Sequence, residues 1–412
     1  MTTCRHCGAA LNLPFVDLGS APPSNAYLTA TALKAPEKWF PLRVLVCENC
    51  WLVQTEDFAH AAELFDADYA YFSSYASSWV AHAERYVADV IDRLTLGAAS
   101  TVVEIAANDG YLLQHVQRRG IPCYGIEPTA GTAAAARAKG IEIVEAFFGR
   151  ALAMQLAEDG RQADLMVANN VLAHVPDIND FVGGFTQLLK PDGVASFEFP
   201  HLLRLVADVQ FDTIYHEHYS YLSLTAVAGI FASNGLAVFD VEELPTHGGS
   251  LRVYAQRADT GRHSCTARVD DVLAQETAAG MLSSDYYAGF QGRTERVKDE
   301  LLLWLIDAKR QGLKVAAYGA AAKGNTLLNF AGVRPDLLPY VVDRNPAKQG
   351  KFMPGSRIPI VAEDHLQAER PDRVLILPWN LRQEVMSQLA YIGAWDGRFV
   401  TAVPALQEYP SS

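Results

Sequence analysis

The sequence predicts an α/β protein with two doubly wound parallel sheets, preceded by a small cysteine-containing unit. From about residue 97 to 265, β-branched apolar runs alternate with helical patterns, which is typical of such a sheet. The same alternation starts again near residue 312, and two Cys-x-x-Cys pairs frame the first 58 residues. We therefore expect domains at residues 1–58, 59–265 and 266–412, the last of which begins with a helical linker.

Composition sets limits on the class of protein. The chain has 412 residues, half of them hydrophobic, which is too long for one typical domain. Its net charge of −13 argues against a nucleic-acid partner, because binding to phosphates needs a basic face. The sequence has neither an apolar run of membrane-spanning length nor a signal-peptide core at its N-terminus. We expect a cytoplasmic protein without a membrane partner; the oligomeric state stays open, and a monomer is compatible with the sequence.

The first unit carries the pairs Cys4/Cys7 and Cys47/Cys50. Four thiolates suit tetrahedral zinc, and such pairs in a cytosolic chain indicate a metal rather than disulfides. The alternative is four reduced thiols that hold nothing. We predict a closed, structural zinc site, with a loop at residues 18–25 and a strand at residues 39–46 between the two pairs.

Residues 101–113 (TVVEIAANDGYLL) predict a buried strand, a tight turn and the start of a helix. Small residues in the turn let a ligand approach the backbone, and the helix beyond offers free N–H groups. A second strand, residues 123–127, ends in Glu127, whose carboxylate suits the two hydroxyls of a ribose.

The turn is not Gly-x-Gly-x-x-Gly, and it is acidic where a pyrophosphate would exclude acids. This disfavours NAD and favours a nucleoside that carries positive charge, such as S-adenosylmethionine. Phe147 could stack on an adenine, and two asparagines end the fourth strand, at the edge where α/β sheets bind ligands. The alternative is an ordinary strand–turn–helix with chance acids. The candidate cofactor residues are Glu104, Ala106, Asn108, Asp109, Gly110, Tyr111, Glu127, Pro128, Phe147, Asn169 and Asn170.

Residues 211–221 (FDTIYHEHYSY) concentrate histidine, glutamate and tyrosine. Metal binding is one interpretation, but His216 and His218 lack the i, i+4 spacing of a helical zinc motif. General acid–base chemistry is the better interpretation, since histidine titrates near neutrality and a carboxylate can fix its tautomer. A polar surface loop is the remaining alternative. In an extended loop, His216 and His218 would share one side and Glu217 would lie on the other.

Three further segments are candidates for substrate binding: residues 66–75, the turn at residues 247–249, and the last unit of the chain. Residues 66–75 are dense in aromatic and hydroxyl groups, including Tyr71 and Ser73, and form either domain packing or a wall of a substrate cleft. His247, Gly248 and Gly249 form a turn whose N–H groups could meet an anion.

The last unit starts with a strand that runs into a small-residue loop containing Lys323, which suits a diphosphate. A second strand ends at Asp343, followed by Arg344 and Lys348. Together with Tyr318, these residues indicate a second, Rossmann-like nucleotide site.

Residues 101–113 resemble motif I of class I methyltransferases, with Ala106 where many members have glycine. With the four cysteines, Tyr-x-Glu-His, His-Gly-Gly and Tyr-Gly-Ala-x-Ala-Lys, nearly the whole chain resembles the C-methyltransferases of deoxysugar biosynthesis. That family methylates C3 of a nucleotide-linked 4-keto-6-deoxy sugar. The resemblance implies a zinc domain, a class I methyltransferase (Rossmann-like) middle domain for S-adenosylmethionine, and a Rossmann-like C-terminal domain that anchors the nucleotide sugar.

Carried over by motif, the resemblance makes His218 the base, with Tyr215 and Glu217 beside it and His174 near the methyl-transfer site. His216 stands where antibiotic-pathway members carry aspartate, which leaves the sugar and the methylated position open. The alternatives are an epimerase, an O-methyltransferase or an NAD-dependent dehydrogenase of nucleotide sugars, or a non-catalytic zinc-ribbon adaptor.

Overall fold

The computed structural model describes residues 2–58, 72–75 and 77–411. Within these ranges the strands form sheets of four, seven and six strands. None of the helices in the same ranges is long and apolar enough to cross a membrane. The predicted substrate residue Tyr71 lies outside the described residues.

The N-terminal sheet is antiparallel and contains β1 (Leu13–Ala21), β2 (Phe40–Val46) and β3 (Val53–Thr55). The prediction of a loop over residues 18–25 was wrong for its first half. Gly19, at a φ of 74°, lies where the pairing of β1 with β2 is irregular, so the strand bulges and continues to Ala21. Phe15 of β1 stacks on Phe290 with ring centroids 4.3 Å apart, which packs this sheet against the helices that precede the C-terminal sheet.

The middle segment alternates strands and helices in chain order. They are α1 (Ser77–Leu94), β4 (Val102–Ile105), α2 (Leu113–Gln117), β5 (Cys123–Ile126), α3 (Ala130–Ala138), β6 (Glu142–Val144), α4 (Arg150–Glu158), β7 (Ala163–Asn169), α5 (Ile178–Leu188), β8 (Leu189–Pro200), α6 (Leu202–Ala207), β9 (Ser220–Tyr221), α7 (Leu224–Ser233), β10 (Leu236–Leu244) and β11 (Ser250–Arg257). Strand β5 matches the strand predicted over residues 123–127, and β7 ends at Asn169, the first of the two asparagines predicted to end the fourth strand.

The large sheet has the order β10-β11-β8-β7-β4-β5-β6, with β11 antiparallel to both of its neighbours. From β4 the chain builds outward to β5 and β6, then returns to place β7 on the other side of β4. Ligands bind at such a reversal, outside the carboxyl ends of the strands. Strand β9 leaves this sheet and pairs with β3, so the N-terminal sheet includes a strand from the middle segment.

The C-terminal segment begins with three helices and continues as a second α/β unit. Its elements are α8 (Ala267–Ala278), α9 (Ser284–Ala288), α10 (Phe290–Arg310), β12 (Val315–Tyr318), α11 (Ala322–Phe330), β13 (Val341–Val342), β14 (Ile360–Val361), α12 (Asp364–Glu369), β15 (Arg373–Ile376), α13 (Arg382–Gln388), β16 (Arg398–Thr401) and β17 (Gln407–Tyr409). The sheet order is β14-β13-β12-β15-β16-β17, parallel except for β17.

A buried carboxylate on α8 holds the start of α7. Glu276 accepts hydrogen bonds from the backbone N–H groups of Leu224 and Thr225, at 2.6 and 2.8 Å, and from His201 Nε2 at 2.7 Å. Burial alone would raise the pKa of Glu276, but the hydrogen bonds from His201 and Thr225 hold it below its ordinary value of 4.5. The carboxylate therefore stabilises the fold in its ionised form.

We predict that Glu276→Ala lowers the free energy of unfolding by about 3 kcal/mol, because several buried donors lose their acceptor. Because the pKa of Glu276 is lower in the folded chain, its contribution is present above about pH 4.5 and lost as the pH falls further. Urea denaturation at pH 7 and pH 4 measures both effects. The control is Asp271→Ala, on the exposed side of α8; an equal loss of stability in that variant would contradict the assignment.

Candidate functional site

The four predicted zinc cysteines form one cluster, in which all Sγ atoms lie within 4.8 Å of one another. The closest pairs are Cys4–Cys50 at 3.6 Å and Cys7–Cys47 at 3.5 Å. A disulfide needs about 2.05 Å, whereas tetrahedral zinc with Zn–S bonds of about 2.3 Å separates its sulfurs by about 3.8 Å. The cluster therefore has the dimensions of a four-thiolate zinc site.

The turn after β4 has the backbone that its sequence predicts. Ala106, Asn108 and Gly110 have φ angles of 56°, 50° and 75°. A Cβ atom on Gly110 would lie 2.4 Å from Ile141 Cδ1, so a side chain there would be both strained and crowded. Ala106 occupies a left-handed conformation that glycine adopts without strain, which explains why a small residue stands at this position.

Glu127, at the carboxyl end of β5, fixes this turn. Its two carboxylate oxygens accept hydrogen bonds from the backbone N–H groups of Asn108 and Thr129, both at 2.9 Å. On the opposite face of the turn, the N–H of Ser73 donates to Asn108 Oδ1 at 2.9 Å. Ser73, which the sequence predicts to bind substrate, therefore lies against the turn after β4.

Several oxygens around this turn are buried and, within the described residues, have no hydrogen-bond partner. They are Glu104 Oε2, Asp109 Oδ1, Asn169 Oδ1 and Asn170 Oδ1. Burial raises the pKa of Glu104 well above its ordinary value. Unsatisfied buried acceptors are costly, so a cationic ligand that supplies donors would bind favourably here. The ammonium group of S-adenosylmethionine meets this requirement, and the residues present fit that cofactor.

Phe147 follows β6, and its ring is 61% exposed. Its exposure leaves one face available for a stacking partner, as the prediction of adenine contact requires. Pro128 lies between Glu127 and Thr129 and is partly exposed at the same edge of the sheet.

The loop of residues 212–218, here called the base loop, places His218 beside two of its predicted neighbours. The ring centroid of His218 lies 4.0 Å from that of Tyr215 and 4.5 Å from that of His174. His218 Nδ1 is 2.9 Å from the carbonyl oxygen of Thr213, and since a carbonyl only accepts, Nδ1 carries the proton. In neutral His218, Nε2 is then unprotonated and has the lone pair that a general base needs.

His218 and His174 are both neutral near pH 7. Burial, followed by the charge of His174, holds the pKa of His218 well below its ordinary value. Burial lowers the pKa of His174 to about 4. His174 Nδ1 donates to the backbone carbonyl of Glu217 at 2.7 Å, which orients its ring toward His218.

The base loop is not extended, and the prediction that His216 and His218 share a side was wrong. The N–H of His218 donates to the carbonyl of Tyr215 at 2.9 Å, which closes a turn. His216 is buried, with Nε2 at 3.3 and 3.2 Å from the carbonyl oxygens of Phe40 and Pro41. The turn therefore directs His216 into the N-terminal sheet, away from His218.

Glu217 also points away from the ring of His218. Its carboxylate is buried and accepts hydrogen bonds from Ser24 Oγ at 3.0 Å and Asn25 Nδ2 at 3.2 Å. Burial raises its pKa. The backbone carbonyl of Thr213, rather than this carboxylate, fixes the tautomer of His218.

The His-Gly-Gly turn is held from the middle segment. Thr246 Oγ1 donates to Glu198 Oε1 at 3.0 Å, and the N–H of Gly249 donates to the carbonyl of Thr246 at 2.9 Å. Glu198 is fully buried and also accepts hydrogen bonds from Arg252 and His82. This network ties the turn to α1 and to the end of β8.

The same turn meets the C-terminal domain. Gly248 has a φ of 91°, and a Cβ atom there would lie 2.5 Å from Trp379 Cη2, so the close approach requires glycine. His247 has a φ of 56°, and its ring centroid lies 5.1 Å from that of Trp79. Burial, followed by the charge of Lys323, lowers the pKa of His247 to about 4.

The surroundings of Lys323 include residues that the sequence did not single out. Lys323 Nζ donates to Asn380 Oδ1 at 2.7 Å and lies 4.7 Å from the ring centroid of Trp379. Trp379 Nε1 donates to Asp212 Oδ2 at 2.7 Å. Burial raises the pKa of Asp212 to about 6, against the opposing charge of Lys323. Asp212 opens the base loop, but its only sequence signal was membership of the polar segment 211–221.

The residues predicted to form the second nucleotide site do not form one cluster. Lys348 Nζ donates to the carbonyl of Ala320 at 2.7 Å, and the N–H of Ala320 donates to Asp343 Oδ2 at 2.8 Å. Asp343 and Lys348 are therefore brought together at the loop after β12. Lys323, in contrast, has Asn380 and Trp379 as its partners.

Tyr318 and Arg344 belong to a separate group. Gln388 Nε2 donates to Tyr318 Oη at 2.7 Å and to Glu363 Oε2 at 2.6 Å. Arg344 Nη1 donates to Gln388 Oε1 at 3.1 Å. These polar side chains surround the carboxyl ends of β12, β13 and β14, the edge at which a parallel sheet binds nucleotides.

Comparisons with known proteins agree with this geometry. Three family models match: a zinc binding domain over residues 4–65, a methyltransferase domain over residues 79–241, and a C-methyltransferase C-terminal domain over residues 245–404. The C-methyltransferase NovU of Streptomyces niveus is 34% identical over 401 residues, covering 97% of this chain and 95% of that protein. The match to the cysteine cluster and to the methyltransferase domain identifies zinc and S-adenosylmethionine as the bound groups.

Solved structures resemble part of the chain. The magnesium protoporphyrin IX methyltransferase of Synechocystis PCC 6803 with bound SAM is 17% identical, with 43% of this chain and 81% of that chain covered and a TM-score of 0.32. The PH0226 protein of Pyrococcus horikoshii OT3 is 13% identical, with 47% and 99% covered and a TM-score of 0.39.

We predict one zinc ion per chain, bound by the four clustered cysteines. Elemental analysis of freshly purified protein should find a stoichiometry near one, and Cys7→Ser combined with Cys50→Ser should abolish it. The control is Cys265→Ser, an exposed cysteine outside the cluster, which should retain the metal. Wild-type protein that contains no metal after purification would contradict the assignment.

We predict that Glu127→Ala weakens S-adenosylmethionine binding roughly ten- to hundredfold, because hydrogen bonds to a charged group contribute about 1.5–3 kcal/mol. The variant loses both the carboxylate for the ribose and the two hydrogen bonds that shape the turn. Isothermal calorimetry measures the change. Glu142→Ala, an exposed acid on β6, is the matched control; equal affinities in wild type and Glu127→Ala would show that Glu127 only ends a strand.

Proposed function

The chain belongs to the family of S-adenosylmethionine-dependent C-methyltransferases, and on that premise we propose that it methylates a nucleotide-linked 4-keto-6-deoxy sugar. The methyl group is transferred to the carbon next to the ketone. The observation that carries the proposal is the state of His218: a neutral ring, oriented through Nδ1, with an unprotonated Nε2 in a partly exposed position. An O-methyltransferase would need less of this arrangement.

The chemistry explains why such a base is needed. A carbon nucleophile must lose a proton before it accepts a methyl group, and the neighbouring ketone makes that proton acidic by delocalising charge onto oxygen. His218 removes the proton, while Tyr215 and His174 line the same space. S-adenosylmethionine supplies the methyl group as an electrophile on a cationic sulfur. Glu217 positions the site through the backbone carbonyl that orients His174.

The proposal places the nucleotide part of the substrate on the C-terminal sheet. Asp343 and Lys348 meet at the loop after β12, and Tyr318 and Arg344 lie at the neighbouring strand ends. The sugar then reaches toward the base loop, with the His-Gly-Gly turn at its side. Support for a sugar nucleotide comes from the combination of Tyr-x-Glu-His, His-Gly-Gly and Tyr-Gly-Ala-x-Ala-Lys in one chain.

We predict that His218→Ala lowers kcat by a factor of about 10²–10⁴, the range for loss of a general base, with little change in binding. The same variant should stop the exchange of the substrate's α-proton with deuterium in heavy water. His216→Gln is the matched control, because its amide nitrogen lies near the position of His216 Nε2 and can still donate to the carbonyls of Phe40 and Pro41. It should retain exchange.

Proton nuclear magnetic resonance of the keto sugar, without the methyl donor, follows the exchange directly. If the His216 variant loses exchange while His218→Ala retains it, the assignment of the base is reversed. If neither substitution affects exchange or turnover, the base lies elsewhere.

A further inference from the structure

We propose that the ammonium group of Lys323 stabilises the oxygen of the enolate that forms when His218 deprotonates the substrate. This inference rests on the proposed function. It assigns a catalytic contact to the C-terminal domain, whose other polar side chains are proposed to hold the nucleotide.

Helix α11 carries Lys323 in its first turn and packs against the base loop. Thr326 lies three residues further on, so it shares a helix face with Lys323. Thr326 Oγ1 donates to the carbonyl of Ile214 at 2.7 Å, and Ile214 directly precedes Tyr215 in the base loop. Both Thr326 and Ile214 are buried. The face of α11 that carries Lys323 is therefore fixed against the base loop.

The side chain of Lys323 points toward Asn380 and Trp379. Its ammonium group donates to Asn380 and lies over Trp379, which binds Asp212 of the base loop and contacts Gly248 of the His-Gly-Gly turn. Lys323 thus ends where the base loop and that turn meet. It remains partly exposed, whereas Asp212 is fully buried, so the ammonium can still reach a ligand.

Lys323 brings a positive charge close to the histidines of the site. Burial is the largest cause of the low pKa of both His218 and His247; the charge of Lys323 is the second cause for His247 and a smaller one for His218. Those two histidines and His174 are neutral near pH 7. Lys323 therefore supplies positive charge to a site whose imidazoles supply none. A fixed charge near a developing oxyanion is effective in a site that excludes water.

The step balances without any further reactant. The C–H bond breaks and its proton moves to Nε2 of His218, while the bonding electron pair forms a C=C bond with the carbonyl carbon. The π pair of the C=O bond moves onto oxygen, beside the ammonium of Lys323. Reversal of these movements in heavy water returns a deuteron to the carbon.

This role differs measurably from diphosphate binding, for which the sequence made Lys323 a candidate. A diphosphate contact would weaken the binding of nucleoside diphosphates when removed. A contact to the enolate oxygen would leave that binding intact and slow proton exchange at saturating substrate.

The test uses the full-length enzyme and three substitutions: Lys323→Met, Lys323→Gln and Lys323→Arg. The control is Lys309→Met, on the surface of α10, where Lys309 forms an exposed ion pair with Asp336. Calorimetry with dTDP and UDP measures nucleotide binding, and calorimetry with S-adenosylmethionine reports that the fold is intact. Exchange in heavy water and kcat measure the chemistry.

We expect both neutral variants to lose about 10²–10³ in exchange rate and kcat, the typical cost of removing one oxyanion donor. Their nucleoside diphosphate dissociation constants should change by less than about threefold, and Lys323→Arg should recover at least tenfold of the lost rate. Wild-type exchange in Lys323→Met, with nucleoside diphosphate binding weakened tenfold or more, would overturn the inference. A wild-type enzyme that neither exchanges nor methylates any nucleotide keto sugar would overturn the proposed function itself, and the inference with it.

Discussion

The site depends on one constraint: the base loop, which belongs to the middle segment, is held by the two other parts of the chain at once. The N-terminal segment binds the carboxylate of Glu217 and the ring of His216. The C-terminal domain binds the carbonyl of Ile214 and the carboxylate of Asp212. Each buried hydrogen bond adds only about 1 kcal/mol net, but leaving its partner unsatisfied costs more, so the loop has few alternative conformations. The orientation of His218 therefore depends on contacts from the N-terminal segment and the C-terminal domain as well as on its own segment.

Burial gives this loop its chemistry. Moving histidines out of water favours their neutral form, which is the form that accepts a proton. The same burial raises the pKa of Asp212 and Glu217 and would make an isolated cation costly. Burial lowers the pKa of Lys323, and the charge of Asp212 opposes that shift, while an amide oxygen and an indole face contact the ammonium group. A neutral base, His218, and a cation, Lys323, in one cleft form the arrangement that enolate chemistry requires.

Much of this was predictable from local sequence. The cysteine spacing predicts the metal cluster, and strand order places Glu104 and Glu127 at one sheet edge. The turn at His216 was not predictable, because an alternating His-Glu-His pattern carries no information about the backbone contacts that fold it. The role of Trp379 was equally hidden, since its bond to Asp212 joins residues 167 positions apart. The small-residue loop before Lys323 resembles a phosphate loop, but side chains from the end of β15 set the direction of the lysine.

The most direct test of the central claim is the carbon connectivity of the product. A panel of nucleotide-linked 4-keto-6-deoxy sugars would be incubated with the enzyme and S-adenosylmethionine that carries a ¹³C-labelled methyl group. Two-dimensional carbon–proton spectra would then locate the label. The account predicts a new carbon–carbon bond between the labelled methyl and the ring carbon next to the ketone, for at least one sugar of the panel. A label attached to oxygen, or no transfer to any of these sugars by zinc-loaded enzyme, would contradict it.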